Sequence, residues 1–179
     1  MIFVTGFGPF GDIADNPSSE LARAAGCPFE ILEVSYRFVE DWLASLDLAA
    51  FETLLLIGVA AKADKMRIEM VARNTVGGTA DVRGEVWGPM AICPRSAPQL
   101  SGSLWRDPEL LVETEDWVAS VDAGTYLCNY VYFRALQRFP DNRVGFLHVP
   151  RQSVMPMDRQ HEALRRIMTV VSSRSPAAV

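Results

Sequence analysis

Three places in this chain put reactive side chains in settings that activate them. In Ala123-Gly124-Thr125-Tyr126-Leu127-Cys128-Asn129 a cysteine lies where a glycine-containing turn enters a stretch of helical spacing. The unpaired N–H groups of a first helical turn favour thiolate over thiol and can hold an oxyanion, which is the setting of a nucleophile. In Phe146-Leu147-His148-Val149-Pro150 a histidine closes an apolar run that a proline ends. Such an imidazole emerges at the carboxyl edge of a sheet, where α/β proteins build their sites. In Arg67-Ile68-Glu69-Met70-Val71-Ala72-Arg73-Asn74 a carboxylate sits inside a strand-like segment, which is unfavourable without a partner. Beside a cysteine and a histidine, Glu69 supplies the group that fixes the imidazole's orientation and tautomer.

The remaining candidates read as structural. Cys27 follows a helix-stopping glycine and Cys93 precedes Pro94; free cysteines are among the most buried residues. His161, flanked by Asp158, Arg159, Gln160 and Glu162, is expected on a solvated helix face. The loop Gly6-Phe7-Gly8-Pro9-Phe10-Gly11 matches the dinucleotide fingerprint after a strand, so nucleotide binding is an alternative reading. Against it, Pro9 has no N–H to offer a phosphate, and the nearest helix start, at Pro17, lies too far from the glycines. The loop does bring two rings, Phe7 and Phe10, to a strand's end.

The elements that must position these groups alternate. Residues 2–5 read as a buried strand, and Asn16-Pro17 caps and opens a helix that Gly26 stops. Residues 29–36 read as a strand, 39–50 as a helix, 53–58 as an apolar central strand and 67–73 as another strand. Periodicity fails over 75–109, where glycines and prolines recur and a lid or insertion is expected. Helices are predicted at 109–121, 128–139 and 160–171, with a last strand at 144–149. The alternation predicts one three-layer α/β/α domain over residues 1–179, with a mostly parallel, mixed sheet.

Composition narrows the function classes. At 179 residues one core suffices, burying roughly 70% of the unfolded surface. Three cysteines cannot all pair, and with two histidines they form no recurring ligand spacing, so no structural metal site is expected. The formal net charge of -5 argues against nucleic acid. The chain shows no signal-like leader and no apolar run of membrane-spanning length. A cytoplasmic protein with free thiols, in no contact with membrane, is expected.

Taken in order, Val4-Thr5-Gly6-Phe7-Gly8-Pro9-Phe10-Gly11 with Asn16-Pro17-Ser18, Glu69-x-Val71-Ala72-x-Asn74, Ala123-Gly124-x-Tyr126-Leu127-Cys128-Asn129 and Phe146-Leu147-His148-Val149-Pro150 resemble pyroglutamyl peptidase I, the pyrrolidone-carboxylate cysteine peptidases. The resemblance implies a Cys128–His148–Glu69 triad that removes N-terminal pyroglutamyl groups from peptides without a cofactor. It also implies that Phe7 and Phe10 pack against the lactam ring, with Tyr126 and Arg83 as further substrate contacts. A dimer or tetramer built on Trp87 and Trp105 is a further expectation. The chain departs from the family after its central strand. There a Gly-Gln-Ala-Gly-Gly-Arg-like turn is replaced by Gly58-Val59-Ala60-Ala61-Lys62-Ala63, without the side-chain amide and the arginine. A catalytically altered member, with another amidase specificity or binding alone, is therefore the nearest alternative.

Overall fold

The run Thr53-Leu54-Leu55-Leu56-Ile57-Gly58-Val59 has no polar side chain beyond its first residue, and in the computed structural model of the protein it forms β3 (Thr53–Val59), buried along its whole length. The structure describes residues 1–173, so positions 174–179 of the expected domain lie outside the described residues. On one side β3 pairs in parallel with β1 (Ile2–Phe7), which pairs in parallel with β2 (Phe29–Leu32). On the other it pairs in parallel with β8 (Arg143–Val149). Beyond β8 the direction reverses: β4 (Met66–Glu69) runs antiparallel to β8, and β7 (Trp117–Ser120) runs parallel to β4. The sheet order is thus β2-β1-β3-β8-β4-β7, the mixed, mostly parallel sheet that the alternation predicts.

Helices cover both faces. Packing α1 (Pro17–Ala24), the short α3 (Pro108–Leu111) and α5 (Met157–Ser173) against one face buries Leu21, Leu55, Ile57, Leu164 and Ile167. Against the other, α2 (Tyr36–Ser45) and α4 (Leu127–Arg138) bury Leu54, Leu56, Tyr132, Phe133 and Phe146. The fold is three-layered α/β/α. Gly6 lets the layers approach, because a Cβ there would collide with the backbone of Ser18 at the start of α1.

Several boundaries differ from the sequence reading, each for a tertiary reason. The strand expected over 67–73 divides at Met70. Its first half stays in the main sheet as β4, and its second half becomes β5 (Val71–Arg73), which pairs with β6 (Gln99–Ser101) in a separate two-stranded sheet. The helix expected at 109–121 is only α3, opened by Asp107 and Pro108. Thr114 Oγ1 then accepts from the N–H groups of Asp116 and Trp117 and turns the chain into β7. The helix expected over 39–50 starts earlier because Ser35 caps it. Trp105 is 2% exposed in the core, so it offers no assembly surface, and Trp87 stacks on Tyr36. His161 is half-buried, with Nε2 enclosed and unpartnered, rather than solvated. Its helix face is buried by tertiary packing that its polar sequence neighbours do not reveal.

Candidate active site

The antiparallel pairing of β4 with β8 sets Glu69 opposite Phe146, two residues before His148 on the same strand. Glu69 is fully buried and His148 nearly so, with His148 Nδ1 2.8 Å from Glu69 Oε1. An ionised carboxylate can only accept, so Nδ1 carries the proton and Nε2 is left for a second partner. The side chain that acts on the ring besides Glu69 is that of Cys128. Burial opposes the charged imidazole, but the hydrogen bonds with Cys128 and Glu69 outweigh it and raise the His148 pKa to about 9. The three groups come from three elements of the fold and meet at the carboxyl end of β8.

Cys128 stands in the first turn of α4. The helix starts at Tyr126 without a side-chain cap, so the N–H groups of Leu127, Cys128 and Asn129 lack partners within the helix. The entry angle of α4 is set by Asn129, a buried side chain that accepts from Arg73 N–H and donates to the carbonyls of Arg73 and Thr75. Gly58 makes room for the sulfur. A Cβ there would lie 2.9 Å from Cys128 Sγ and 2.7 Å from the Phe146 ring. Gly58→Ala is therefore expected to lose about 1–3 kcal/mol of stability by overpacking and roughly 100-fold in kcat/KM by displacing the sulfur. A melting curve and a rate assay check both.

Beside the sulfur lies a small, shallow cavity walled by Phe7, Phe10, Val34, Val59, Tyr126 and Leu127. Phe10 and Tyr126 face one another with centroids 6.5 Å apart. The glycine loop is held to its neighbours: Phe7 N–H donates to Ser18 Oγ at 2.9 Å, Gly8 N–H to the Leu32 carbonyl at 2.9 Å, and Phe10 N–H to the Ile13 carbonyl at 3.1 Å. Those donors are spent within the fold, which removes the backbone cradle a nucleotide phosphate would need. Six of the seven residues singled out from the sequence thus converge at one place. Arg83 does not: its guanidinium grips Glu33 with two bonds, at 2.5 and 2.9 Å, on the solvent side, and it is not part of the cavity wall.

The residue that matters in the 81–83 stretch is instead Asp81. Its buried carboxylate accepts from the N–H groups of Tyr36, Arg83 and Glu85, while Val82 N–H bonds the Val34 carbonyl and Tyr126 Oη bonds the Ala80 carbonyl. The irregular segment is thereby clamped to two walls of the cavity. Burial disfavours the charge on Asp81, but the backbone hydrogen bonds outweigh it and lower its pKa. A carboxyl lowered in the folded state adds stability above its unfolded pKa and loses it as pH falls through the folded value. Stability is therefore expected to decline below about pH 4. Asp81→Asn should flatten that decline and lower Tm at neutral pH by a few degrees, measurable by calorimetry from pH 3 to 7. The sequence signals for Gly58, Asn129 and Asp81 were slight: a glycine inside an apolar strand, and polar residues whose partners are distant in the chain.

The fold has counterparts among known proteins. No protein-family model matches the sequence. Among curated proteins, the chain is 27% identical over 165 residues to the pyrrolidone-carboxylate peptidase of Oceanobacillus iheyensis, covering 83% of each. It is 28% identical over 188 residues to that of Streptococcus pneumoniae, covering 95% of this chain and 87% of the relative. The crystal structure of pyrrolidone carboxyl peptidase from Thermus thermophilus superposes with a TM-score of 0.81 at 28% identity, over 94% of this chain and 98% of the other. The chain is a relative of the pyrrolidone-carboxylate peptidases. A mutant pyrrolidone carboxyl peptidase from P. furiosus shares the same fold, with a TM-score of 0.84 at 20% identity over 98% of this chain and 99% of the other. Likeness to pyrrolidone carboxyl peptidases thus extends over the whole sheet and both helical layers.

Proposed function

We propose that the chain is a cysteine peptidase that removes N-terminal pyroglutamyl groups from peptides. The observation that carries this reading is the buried chain of contacts from Glu69 through His148 to Cys128 beside an aromatic cavity, in a relative of pyrrolidone-carboxylate peptidases. His148 already holds the proton that Cys128 gives up, Cys128 Sγ bonds to the carbonyl carbon, and the open N–H groups at the start of α4 hold the oxyanion. The C–N bond breaks as His148 returns a proton to the leaving amine. Water, deprotonated by His148, then cleaves the thioester to free pyroglutamate and Cys128. Glu69 holds the ring and balances its charge. No step calls for a cofactor.

The free thiols Cys27, Cys93 and Cys128 fit a cytoplasmic setting, and among the described residues no helix is long and apolar enough to cross a membrane. The test is hydrolysis of a pyroglutamyl coumarin amide against a panel of aminoacyl amides, with iodoacetamide inactivation as control. Preferential, iodoacetamide-sensitive cleavage of the pyroglutamyl amide is expected; its absence would exclude the reading. A second reading, a shifted amide specificity, is favoured by Val59, the one residue of the altered turn that lines the cavity.

A further inference from the structure

The sheet order sets the acyl side and the leaving side of the site apart. Phe7, Phe10, Val34 and Val59, which wall the cavity, belong to β1, β2, β3 and the loops after them, all on one side of β8. An amide with its acyl ring there and its carbonyl carbon at Cys128 sends its leaving amine past His148 toward β4, on the other side of β8. Arg67 of β4 stands at that place, because its register partner across the antiparallel ladder is His148. Residues directly opposite in such a ladder share a face, with Cβ atoms about 4.5–5.5 Å apart. The alternation agrees: Ile68 and Leu147 are buried on the α1 and α5 face, while Glu69 reaches His148 on the other.

Arg67 is half-buried, and among the described residues its guanidinium has no hydrogen bond, ion pair or ring contact. The other half-buried arginines are held. Arg73 pairs with Asp122, Arg134 with Glu40 and Arg151 with Asp12, and Arg143 donates to the Val171 carbonyl. Glu69 does not serve Arg67, since its Oε1 is taken by His148 and its Oε2 is enclosed without a bond. A guanidinium partly removed from water with nothing in return is costly unless an anion from outside meets it.

We propose that Arg67 is a specificity-determining residue that binds a carboxylate on the leaving side of the scissile amide, so that the enzyme prefers substrates whose leaving part is anionic. The proposal rests on the peptidase reading and deepens it by naming the chemistry of the leaving group. The planar fork of a guanidinium matches a carboxylate with two parallel N–H···O bonds. Two sources present that group close to the leaving nitrogen: the α-carboxylate of a single leaving amino acid, and the side chain of an Asp or Glu that begins a longer leaving peptide. Arg67 makes and breaks no covalent bond; Cys128 forms the thioester, His148 protonates the amine, and the guanidinium holds the departing part. Because the position is open to water, the gain is set at the low end for a charge-assisted hydrogen bond, about tenfold in kcat/KM, and it weakens as salt rises.

The experiment measures kcat/KM for wild type, Arg67→Gln and Arg67→Lys on two pairs of substrates: pyroglutamyl-alanine against pyroglutamyl-alaninamide, and pyroglutamyl-glutamate α-amide against pyroglutamyl-glutamine α-amide. In parallel, alkylation by iodoacetate and by iodoacetamide, reagents of nearly one shape and different charge, is read at Cys128 by mass spectrometry. The expected result is an acid-to-amide ratio of about ten in at least one pair, falling toward one in Arg67→Gln and largely kept in Arg67→Lys. A preference in the first pair assigns the contact to the α-carboxylate, and in the second to the side chain. A merely structural loss lowers acid and amide rates together and moves neither ratio. Ratios that Arg67→Gln leaves unchanged in both pairs, or a wild type that prefers the neutral amides, overturn the proposal and leave the pyroglutamyl peptidase reading standing. If none of the substrates is turned over, the peptidase reading fails and alkylation decides: an iodoacetate-to-iodoacetamide ratio that drops in Arg67→Gln and returns in Arg67→Lys supports the anion contact, and an unchanged ratio overturns it.

Discussion

Cys128→Ala abolishes hydrolysis of a pyroglutamyl amide, with a loss in kcat expected to exceed about 10⁴-fold, while Tm changes by no more than a few degrees. The two halves of that expectation have separate causes. Among the side chains lining the cavity, the Cys128 thiol is the nucleophile, since the hydroxyl of Tyr126 is tied to the Ala80 carbonyl and the others are hydrocarbon or phenyl. Removing it leaves the open N–H groups of α4 and the ring contacts, which bind but do not acylate. Cys128 is only partly buried, so losing one sulfur opens little void. Cys27→Ala is the control. That thiol packs against the opposite face of the sheet, where burial pushes its pKa up, so its loss should leave the rate nearly intact. A rate for Cys128→Ala matching wild type would remove the mechanism altogether.

Glu69→Gln is the second large effect. The substitution keeps the shape but removes the charge facing His148 Nδ1. If the Gln carbonyl faces the ring, the imidazolium loses its counter-charge. If the amide NH₂ faces it, the proton moves to Nε2 and the ring can no longer accept from the thiol. Either outcome is expected to lower kcat by about 10²–10⁴-fold. KM should stay within about twofold, because Glu69 lies behind the histidine and is no part of the cavity wall. A merely structural role would instead lower Tm and move KM with kcat, so the split between the two constants is the measurement that decides. Glu69 Oε2 is buried without a partner, so the second atom of the amide meets no compensating bond and the effect is not masked.

Much of this site was readable from local pattern. The Asn16 cap with Pro17 opens α1 where expected, and Asn16 Oδ1 accepts from Ser18 N–H. The helix start at Cys128 and the strand end at His148 were both visible, because capping, apolar runs and the proline after Val149 act within a few residues. Arg83 was misplaced for the opposite reason. Its sequence neighbourhood marks a polar turn, but whether its guanidinium faces a substrate or Glu33 is settled by which strand lies opposite. The division of 66–73 into β4 and β5 at Met70 is of the same kind: one continuous strand pattern is shared between two sheets because Asn129, far along the chain, draws the second half toward α4.

By itself the sequence determined the reactive groups, the type of element carrying each, and the order in which they arrive along the chain. Those depend on short-range forces: backbone propensity, capping, and the alternation of apolar and polar side chains. Only the tertiary structure decided that β4 lies antiparallel beside β8, so that Glu69 meets His148, and that Gly58 leaves room for the Cys128 sulfur. It also decided that Asp81, not Arg83, fastens the irregular segment. These are matters of register and close approach between segments far apart in the chain, and hydrophobic burial is too undirected to leave them legible in the order of the residues.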